Sequence, residues 1–338
     1  MSCRSLLVVS LTVMLAGCSA TPVPEALSTA EVPAAFNNGT KEGDTWPKPQ
    51  WWQGFNSAEL DSLIREARER NPDLGAAAAR VLQADANARI AGSRLLPTVS
   101  LTGGAQTLGA TDRGGSTSAS AYGVNAVASY EVDFWGLARS NLRAAQAQLR
   151  ASDYARETVA LTVTADVGTT YLKVLATRER LAVARRNLDT AKRLLSAIER
   201  MVAAGVSPQL DLAQQEALVA SQEAEIPALE QEERETRIAL ALVLGRAPEG
   251  FTVKGRDLNA IAIPAVTAGL PSELLRRRPD IAQAEASLAA AHANVDAARA
   301  AFLPAIVLTA SGGISSGAVS AVSTGTAVGE MVVEGGPA

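Results

Sequence analysis

The sequence predicts a mainly α-helical protein carrying membrane β-strands, built as a pseudo-twofold internal repeat whose second copy is incomplete. Three observations carry this prediction. One helical stretch is too long for a globule, several segments alternate strictly between apolar and polar residues, and one passage recurs 207 residues later.

The long stretch is the plainest. Residues 137–204 contain no proline, and Gly168 is their only glycine. As a helix of 68 residues this stretch would span roughly 100 Å at 1.5 Å per residue. Val167, Val174, Leu181, Leu188, Leu195 and Val202 recur every seven residues, with Thr170, Thr177, Ala184, Ala191 and Ile198 at the companion positions. That is a coiled-coil seam with a small-residue side. Gly205-Val206-Ser207-Pro208 then breaks the rod: Gly205 can take the left-handed conformation past a helix end, Ser207 can cap, and Pro208 suits the first helical position. A return helix over 209–244 keeps the register through Leu212, Val219, Ile226 and Leu240, with Glu233 interrupting it. Pro227 lies inside this helix, where it costs about 3 kcal/mol or imposes a kink.

Residues 98–108 alternate weakly and 122–134 strongly: Tyr122, Val124, Ala126, Ala128, Tyr130, Val132 and Phe134 face one way, against Gly123, Asn125, Ser129, Glu131 and Asp133. Both have the length of a tilted membrane strand, with apolar positions toward lipid and polar ones toward a lumen. A soluble sandwich would give the same alternation. The Gly/Ser/Thr-rich stretch 109–120 reads as the connecting loop, and 305–314 as a further strand.

The repeat aligns residues 70–102 with 277–309 without gaps, with 13 of 33 positions identical, including Pro72/Pro279, Asp73/Asp280, Asn87/Asn294 and Pro97/Pro304. Each copy opens a helix of about 20 residues with proline followed by aspartate at the positive helix end, and closes it with a second proline that begins an alternating segment.

The amino terminus reads as an address. Residues 1–17 have the apolar run of a signal peptide, too short to span a bilayer. Leu15-Ala16-Gly17-Cys18 resembles the lipobox of bacterial lipoproteins, with Cys18 as the acylated first residue of the mature chain, and Ser19 resembles the outer-membrane sorting pattern. Residues 18–56 then form an extended arm rich in proline, serine and threonine near its start.

Composition narrows the function. The chain has 338 residues, 66 of them alanine, a net charge of −4 and only 4% aromatic residues. So much alanine favours close helix packing over several bulky cores. The acidic balance excludes a phosphate-binding stripe, so no nucleic acid is expected. With His292 the only histidine, no catalytic constellation, metal site or cofactor is expected. Gly313-Ile314-Ser315-Ser316-Gly317 matches the nucleophile-elbow pattern, but no histidine follows Ser315, and a flexible loop is the expected reading.

Four passages together resemble the outer membrane factors, the TolC-like channels, in their lipoprotein NodT-type branch. They are Trp51-Trp52-Gln53-Gly54-Phe55 with Leu60, Leu63-Ile64 and Asn71-Pro72-Asp73-Leu74; Tyr130-Glu131-Val132-Asp133-Phe134-Trp135-Gly136; Ala204-Gly205-Val206-Ser207 with Asp211; and Leu270-Pro271-Ser272-Glu273-Leu274-Leu275-Arg276-Arg277-Arg278-Pro279-Asp280-Ile281. The resemblance implies a TolC-like α-helical barrel plus a trimeric β-barrel. It implies a homotrimer in outer-membrane lipid that conducts drugs or other small molecules passively from an inner-membrane efflux pump, joined through a periplasmic adaptor protein. By the same analogy Gly205, Val206, Ser207 and Pro208 form the tip at which the adaptor docks, a role that stands beside plain turn chemistry. Asp133, Trp135 and Gly136 read as a cap and corner rather than a solute site.

The expected organisation is a signal peptide (1–17), a lipidated arm (18–56), a first structural repeat (57–269), the start of a second (270–317) and an atypical tail (318–338). The tail lacks the alternation of a fourth strand and is not followed by a second rod. The expectation is a frame truncated or shifted near residue 317, with three of four strands and impaired conduction. Two other classes compete: a periplasmic adaptor lipoprotein, and a structural coiled-coil lipoprotein, which would not need the alternating strand at 122–134.

Overall fold

A computed structural model describes residues 50–112, 115–264, 275, 277–318, 321–324 and 328–334. The leader, Cys18 and the arm up to residue 49 lie outside the described residues. A 3-10 turn, Trp51–Phe55, leads into α1 (Ala58–Arg70) and α2 (Pro72–Ser93), then β1 (Thr98–Asp112) and β2 (Gly115–Glu131). The helices α3 (Leu137–Ala203), α4 (Gln209–Val243) and α5 (Pro279–Ala300) follow, and then β3 (Ala305–Ala318), β4 (Ala321–Thr324) and β5 (Val328–Glu334).

The predicted rod is α3, a single helix of 67 residues and so about 100 Å long. It packs against α1, α2, α4 and α5. An 18-residue window of it is apolar enough to cross a membrane by composition, and 39% of that window is buried within the chain. The repeat is visible too: α2 and α5 have 22 residues each, both carry proline at the first helical turn, and the strands after them start at Thr98 and Ala305. Alanine lines the joints with α3. The buried residues are Ala77, Ala84 and Ala88 in α2, Ala286, Ala290, Ala293, Ala297 and Ala300 in α5, and Ala144, Ala147 and Ala151 in α3. Methyl-sized contacts let backbones approach closely, which explains the composition.

Among the described residues, bulkier side chains gather midway along α3. Leu60, Leu63 and Ile64 of α1 meet Val163, Val167, Tyr171, Val174 and Leu175 of α3, Leu240 and Ala241 of α4, and Leu244, Phe251 and Val253 after it. Asn71 ties this centre together. Its side-chain oxygen accepts from the backbone N–H groups of Asp73 and Leu74, capping α2, while its amide donates to the carbonyl of Val243 at 2.8 Å. Gly245 ends α4 with φ +70°, its N–H on Leu242 and that of Arg246 on Ala241. A Cβ there would lie 2.6 Å from the Arg70 carbonyl oxygen, so glycine is needed for contact as well as conformation.

The α3–α4 hairpin follows the predicted seam. Ala191 is buried, and Leu181, Ala184, Leu188, Leu195, Ile198 and Val202 are half-buried. In α4, Gln215, Val219, Leu229, Thr236 and Leu240 are buried, the last in the central core. The helix α4 runs through Pro227 without a break in its assigned span. Ion pairs Arg180–Glu232, Arg185–Glu230 and Lys192–Glu223 join the two helices. Exposed pairs of this kind add little stability, but they favour one register.

The strands form one antiparallel sheet in the order β1-β2-β3, with β4 and β5 both against the far edge of β3. Four expectations change here. Of the stretch 109–120, read as a loop, residues 109–112 and 115–120 are paired parts of β1 and β2, with Asp112 opposite Gly115. Its glycine, serine and threonine lack the apolar signal of a half-buried strand, yet backbone pairing needs no such signal. Strand β2 also stops at Glu131 instead of reaching residue 134, because the chain turns there into α3. Nor is the tail 318–338 devoid of a fourth strand. Thr324 pairs with Ile314 and Val328 with Ser311, so β4 and β5 continue one line along β3, ending with Glu334 opposite Ala305. Residues 313–317, read as a flexible loop, lie inside β3. Its carbonyls and N–H groups are shared with β2 on one side and with β4 and β5 on the other.

Candidate functional site

Strand register decides what the sheet presents. Directly opposed residues share a face: Leu101 opposes Ala126, which opposes Gly312, and Gly103, Val124 and Ile314 are aligned likewise. Across three strands one face therefore carries Val99, Leu101, Tyr122, Val124, Ala126, Ala128, Tyr130, Ile306, Leu308 and Ile314, with no charged side chain between the levels of Tyr122 and Tyr130 and with Ser316, opposite Tyr122, at its rim. The other face carries Thr98, Ser100, Thr102, Gln106, Asn125, Ser129, Glu131, Thr309 and Ser311. The hydroxyls of Thr98, Ser100 and Thr102 donate to carbonyls of β2. Val99 and Leu101 are 72% and 73% exposed, and among the described residues no second layer packs on them. The sandwich reading therefore has nothing to pack against. Tyr122 and Tyr130 mark the two ends of the apolar band, eight residues apart and so roughly 26 Å along the strand, close to the height of a lipid-facing barrel band.

The passage from strand to helix is built by residues 131–140. Gly136 adopts φ +84° as the cap of α3. The carboxylate of Asp133 accepts from the N–H groups of Ala138 and Arg139 and from Nε of Arg139, whose Nη2 donates to the Asp133 carbonyl. Burial alone would raise the pKa of Asp133. The bonds from Arg139 and from the two backbone amides outweigh it, so the pKa lies below the ordinary value. Nε1 of Trp135 donates to the Pro304 carbonyl at 2.8 Å, tying this corner to the second copy of the repeat. The expected cap-and-corner role of Asp133, Trp135 and Gly136 is what the geometry supplies. A depressed folded-state pKa gives stability that is present above the unfolded-state value, near 4, and is lost as pH falls through the folded one. Thermal melts between pH 7 and pH 2 are expected to show the native chain losing stability below about pH 4. Asp133→Asn should start lower and lose less over that window; parallel curves would contradict this assignment.

At the opposite end of α3 the four tip residues form the expected turn, with two changes. Gly205 has φ +72°, its N–H bonds Val202, and the N–H of Val206 bonds Met201. Pro208 is the N-cap of α4 and not its first helical residue, because its ψ of 156° is extended and the helix begins at Gln209. Ser207 does not cap the backbone either. Its hydroxyl donates to Asp211 at 2.7 Å, where that carboxylate sits in the first turn at the positive helix end. The turn leaves Val206 72% and Leu210 64% exposed. Leu210 was not singled out by the sequence, since one exposed leucine beside a turn leaves no periodic signal.

A polar cluster beside the central core was also missed. Arg178 donates to Glu233 at 2.9 Å and to the carbonyls of Val253 and Gly255 at 2.7 and 2.6 Å. Glu59 accepts from the N–H groups of Lys254 and Gly255 and from the hydroxyl of Tyr171, whose pKa burial pushes up. The sequence signal was present in Glu233, the residue that interrupts the heptads of α4.

A long helical hairpin below a sheet with one lipid-compatible face and one wet face defines a channel wall. The chain belongs to the outer membrane efflux protein family, whose sequence profile matches residues 63–246 and 270–333. It is 43% identical over 333 residues to the pyoverdine export outer membrane protein OpmQ of Pseudomonas aeruginosa, covering 96% of this chain and 70% of that one. It is 30% identical over 306 residues to the cation efflux system protein CusC of Escherichia coli, covering 87% and 65%. The solved outer-membrane channel OprN superposes with a TM-score of 0.81 at 27% identity, over 93% of this chain and 73% of that one. The chain thus spans about two thirds of the length of its relatives. It is an outer-membrane efflux channel subunit of the TolC-like fold, set in the outer membrane and extending into the periplasm. The adaptor reading is set aside by the family match, and the coiled-coil reading by the sheet.

Proposed function

We propose that three copies of this chain join their sheets edge to edge into one barrel and their helices into a tunnel, which conducts small solutes passively out of the cell without chemistry on them. The observation that carries this is the apolar face shared by three strands, combined with a sheet whose outer edges, β1 and β5, have no strand partner among the described residues. Bare backbone groups in lipid are strongly unfavourable, and pairing β1 of one copy with β5 of the next removes both edges. Relatives export pyoverdine or cations by name. Such different cargo suits a conduit that leaves selection to an inner-membrane pump.

Unheated protein extracted in detergent is expected to migrate at three times the chain mass and to give stepwise conductance in planar bilayers. Migration at the mass of one chain, with no conductance above protein-free controls, would overturn the proposal.

The organisation that goes with this reading is a cleaved leader over 1–17, an acyl anchor on Cys18 with its arm to residue 56, a first repeat over 57–269 and the second from 270. Its support is the lipobox sequence. Radiolabelled palmitate should enter the native chain and not Cys18→Ser, and equal labelling would refute the anchor.

In the same reading a periplasmic adaptor docks at Gly205, Val206, Ser207 and Pro208, supported by the exposed side chains of Val206 and Leu210. Val206→Asp together with Leu210→Asp is expected to weaken adaptor capture by about tenfold or more while the oligomer persists. Undiminished capture would place docking elsewhere.

A further inference from the structure

The corner between membrane strands and helices contains a groove that the channel function does not use. It lies between the start of α3 and the end of α5, with a volume of about 760 Å³, and is lined by Trp135, Arg139, Arg143, Asp296, Arg299 and Phe302 among others. We propose that this groove holds the phosphate of a phospholipid headgroup at the periplasmic surface of the outer membrane. The proposal rests on the reading that the apolar face of the sheet meets lipid.

Its position supports this occupant. A smaller cleft nearby is lined by Leu137, Ala138 and Asn141 of α3 together with Thr98, Ser129 and Glu131, which lie on the wet face of the sheet. Arg139 and Arg143 each follow a residue of that cleft by two positions, roughly 200° around the helix. The groove therefore opens on the other side of the wall, on the side of the apolar band and just beyond its end.

Its chemistry fits as well. Three guanidinium groups face the one lining carboxylate of Asp296, while Asp133, which holds Arg139, lines the cleft on the wet side. The bonds of Arg139 to Asp133 use Nε and Nη2, and those of Arg143 to Ser140 and Asp296 use Nη2. A guanidinium has five N–H donors, so both are held in place with donors left for phosphate oxygens. Beside them Phe302 is 82% and Phe134 66% exposed, and Trp135 is 43% exposed while its Nε1 is fixed on Pro304. Aromatic rings with arginines at one level match the boundary between acyl chains and headgroups. Phe134 and Trp135 meet edge to face at 4.8 Å, and a water-filled periplasm would leave the rest of their surface and that of Phe302 uncovered.

The test uses the full-length chain in dodecyl maltoside micelles, titrated with phosphatidylglycerol or with diacylglycerol, each brominated on its chains near the glycerol. Quenching of Trp135 is read as the difference between the native chain and Trp135→Phe. Phosphatidylglycerol is expected to quench at roughly tenfold lower concentration than diacylglycerol. Arg143→Gln with Arg299→Gln should abolish that preference, and Arg143→Lys with Arg299→Lys should keep most of it, which separates charge from misfolding. Millimolar inorganic phosphate should leave the quenching unchanged. Equal quenching by both lipids would refute the phosphate site while leaving the lipid-facing sheet intact. Displacement by inorganic phosphate would mean a free-anion site, contrary to the proposal. Absence of quenching by either lipid would show the groove covered by another copy or by a protein partner, and would also overturn it.

Discussion

Arg178→Met is expected to destabilise the folded chain by about 3 kcal/mol, the range for removing one member of a largely buried, multiply bonded charge cluster. The guanidinium serves three acceptors on two separate segments: Glu233 in α4, and the carbonyls of Val253 and Gly255 in the chain that crosses back over α3. Without it Glu233 keeps only Arg237, at 3.5 Å, and the two carbonyls lose that donor. Methionine fills the volume but donates nothing. Lysine is expected to restore less than half of the loss, since a single ammonium cannot reproduce the planar fork. Thermal unfolding followed by circular dichroism in detergent checks this. A change below 1 kcal/mol for the methionine variant would mean the cluster is incidental to the fold.

The second large effect is in the sheet. Leu101→Arg should block membrane assembly, whereas Thr102→Arg, one residue on, should assemble and alter conduction only. Leu101 opposes Ala126, midway between Tyr122 and Tyr130, so its side chain stands at the centre of the apolar band. An arginine at the midplane of a lipid-facing barrel surface costs about 2–4 kcal/mol, and three copies multiply that cost. Thr102 lies on the wet face, where a charge meets water. Outer-membrane fractionation and migration of unheated samples read both variants. Equal tolerance at the two positions would contradict the assignment of faces.

The parts legible in the sequence were those with a period. The rod α3 could be read from the absence of breakers and the seven-residue recurrence of Val167, Val174 and Leu181, and the α2/α5 pair from prolines 207 residues apart. The tip turn was legible because left-handed caps demand glycine, here Gly205. The strand ends were not, because residues 109–120 and 318–334 consist largely of Gly, Ser, Thr, Ala and Val, whose pairing depends on a neighbouring strand rather than on an apolar face of their own. Pro208 shifted from first helical residue to cap because Asp211 and Ser207, not the proline, organise the first turn. The cluster around Arg178 joins residues 59, 171, 178, 233 and 255, a set of long-range partners that no local pattern brings together.

The central claim is that the two faces of one ribbon meet different solvents. Nitroxide labels placed singly at positions 122–130 of the membrane-inserted protein test it most directly, through collision with molecular oxygen, which concentrates in lipid, and with a water-soluble nickel chelate. Oxygen contact should peak at 122, 124, 126, 128 and 130 and nickel contact at the positions between, two period-two waves out of phase. Waves in phase, or even-numbered labels shielded from both reagents, would place the apolar face inside a protein core and contradict the channel wall described here.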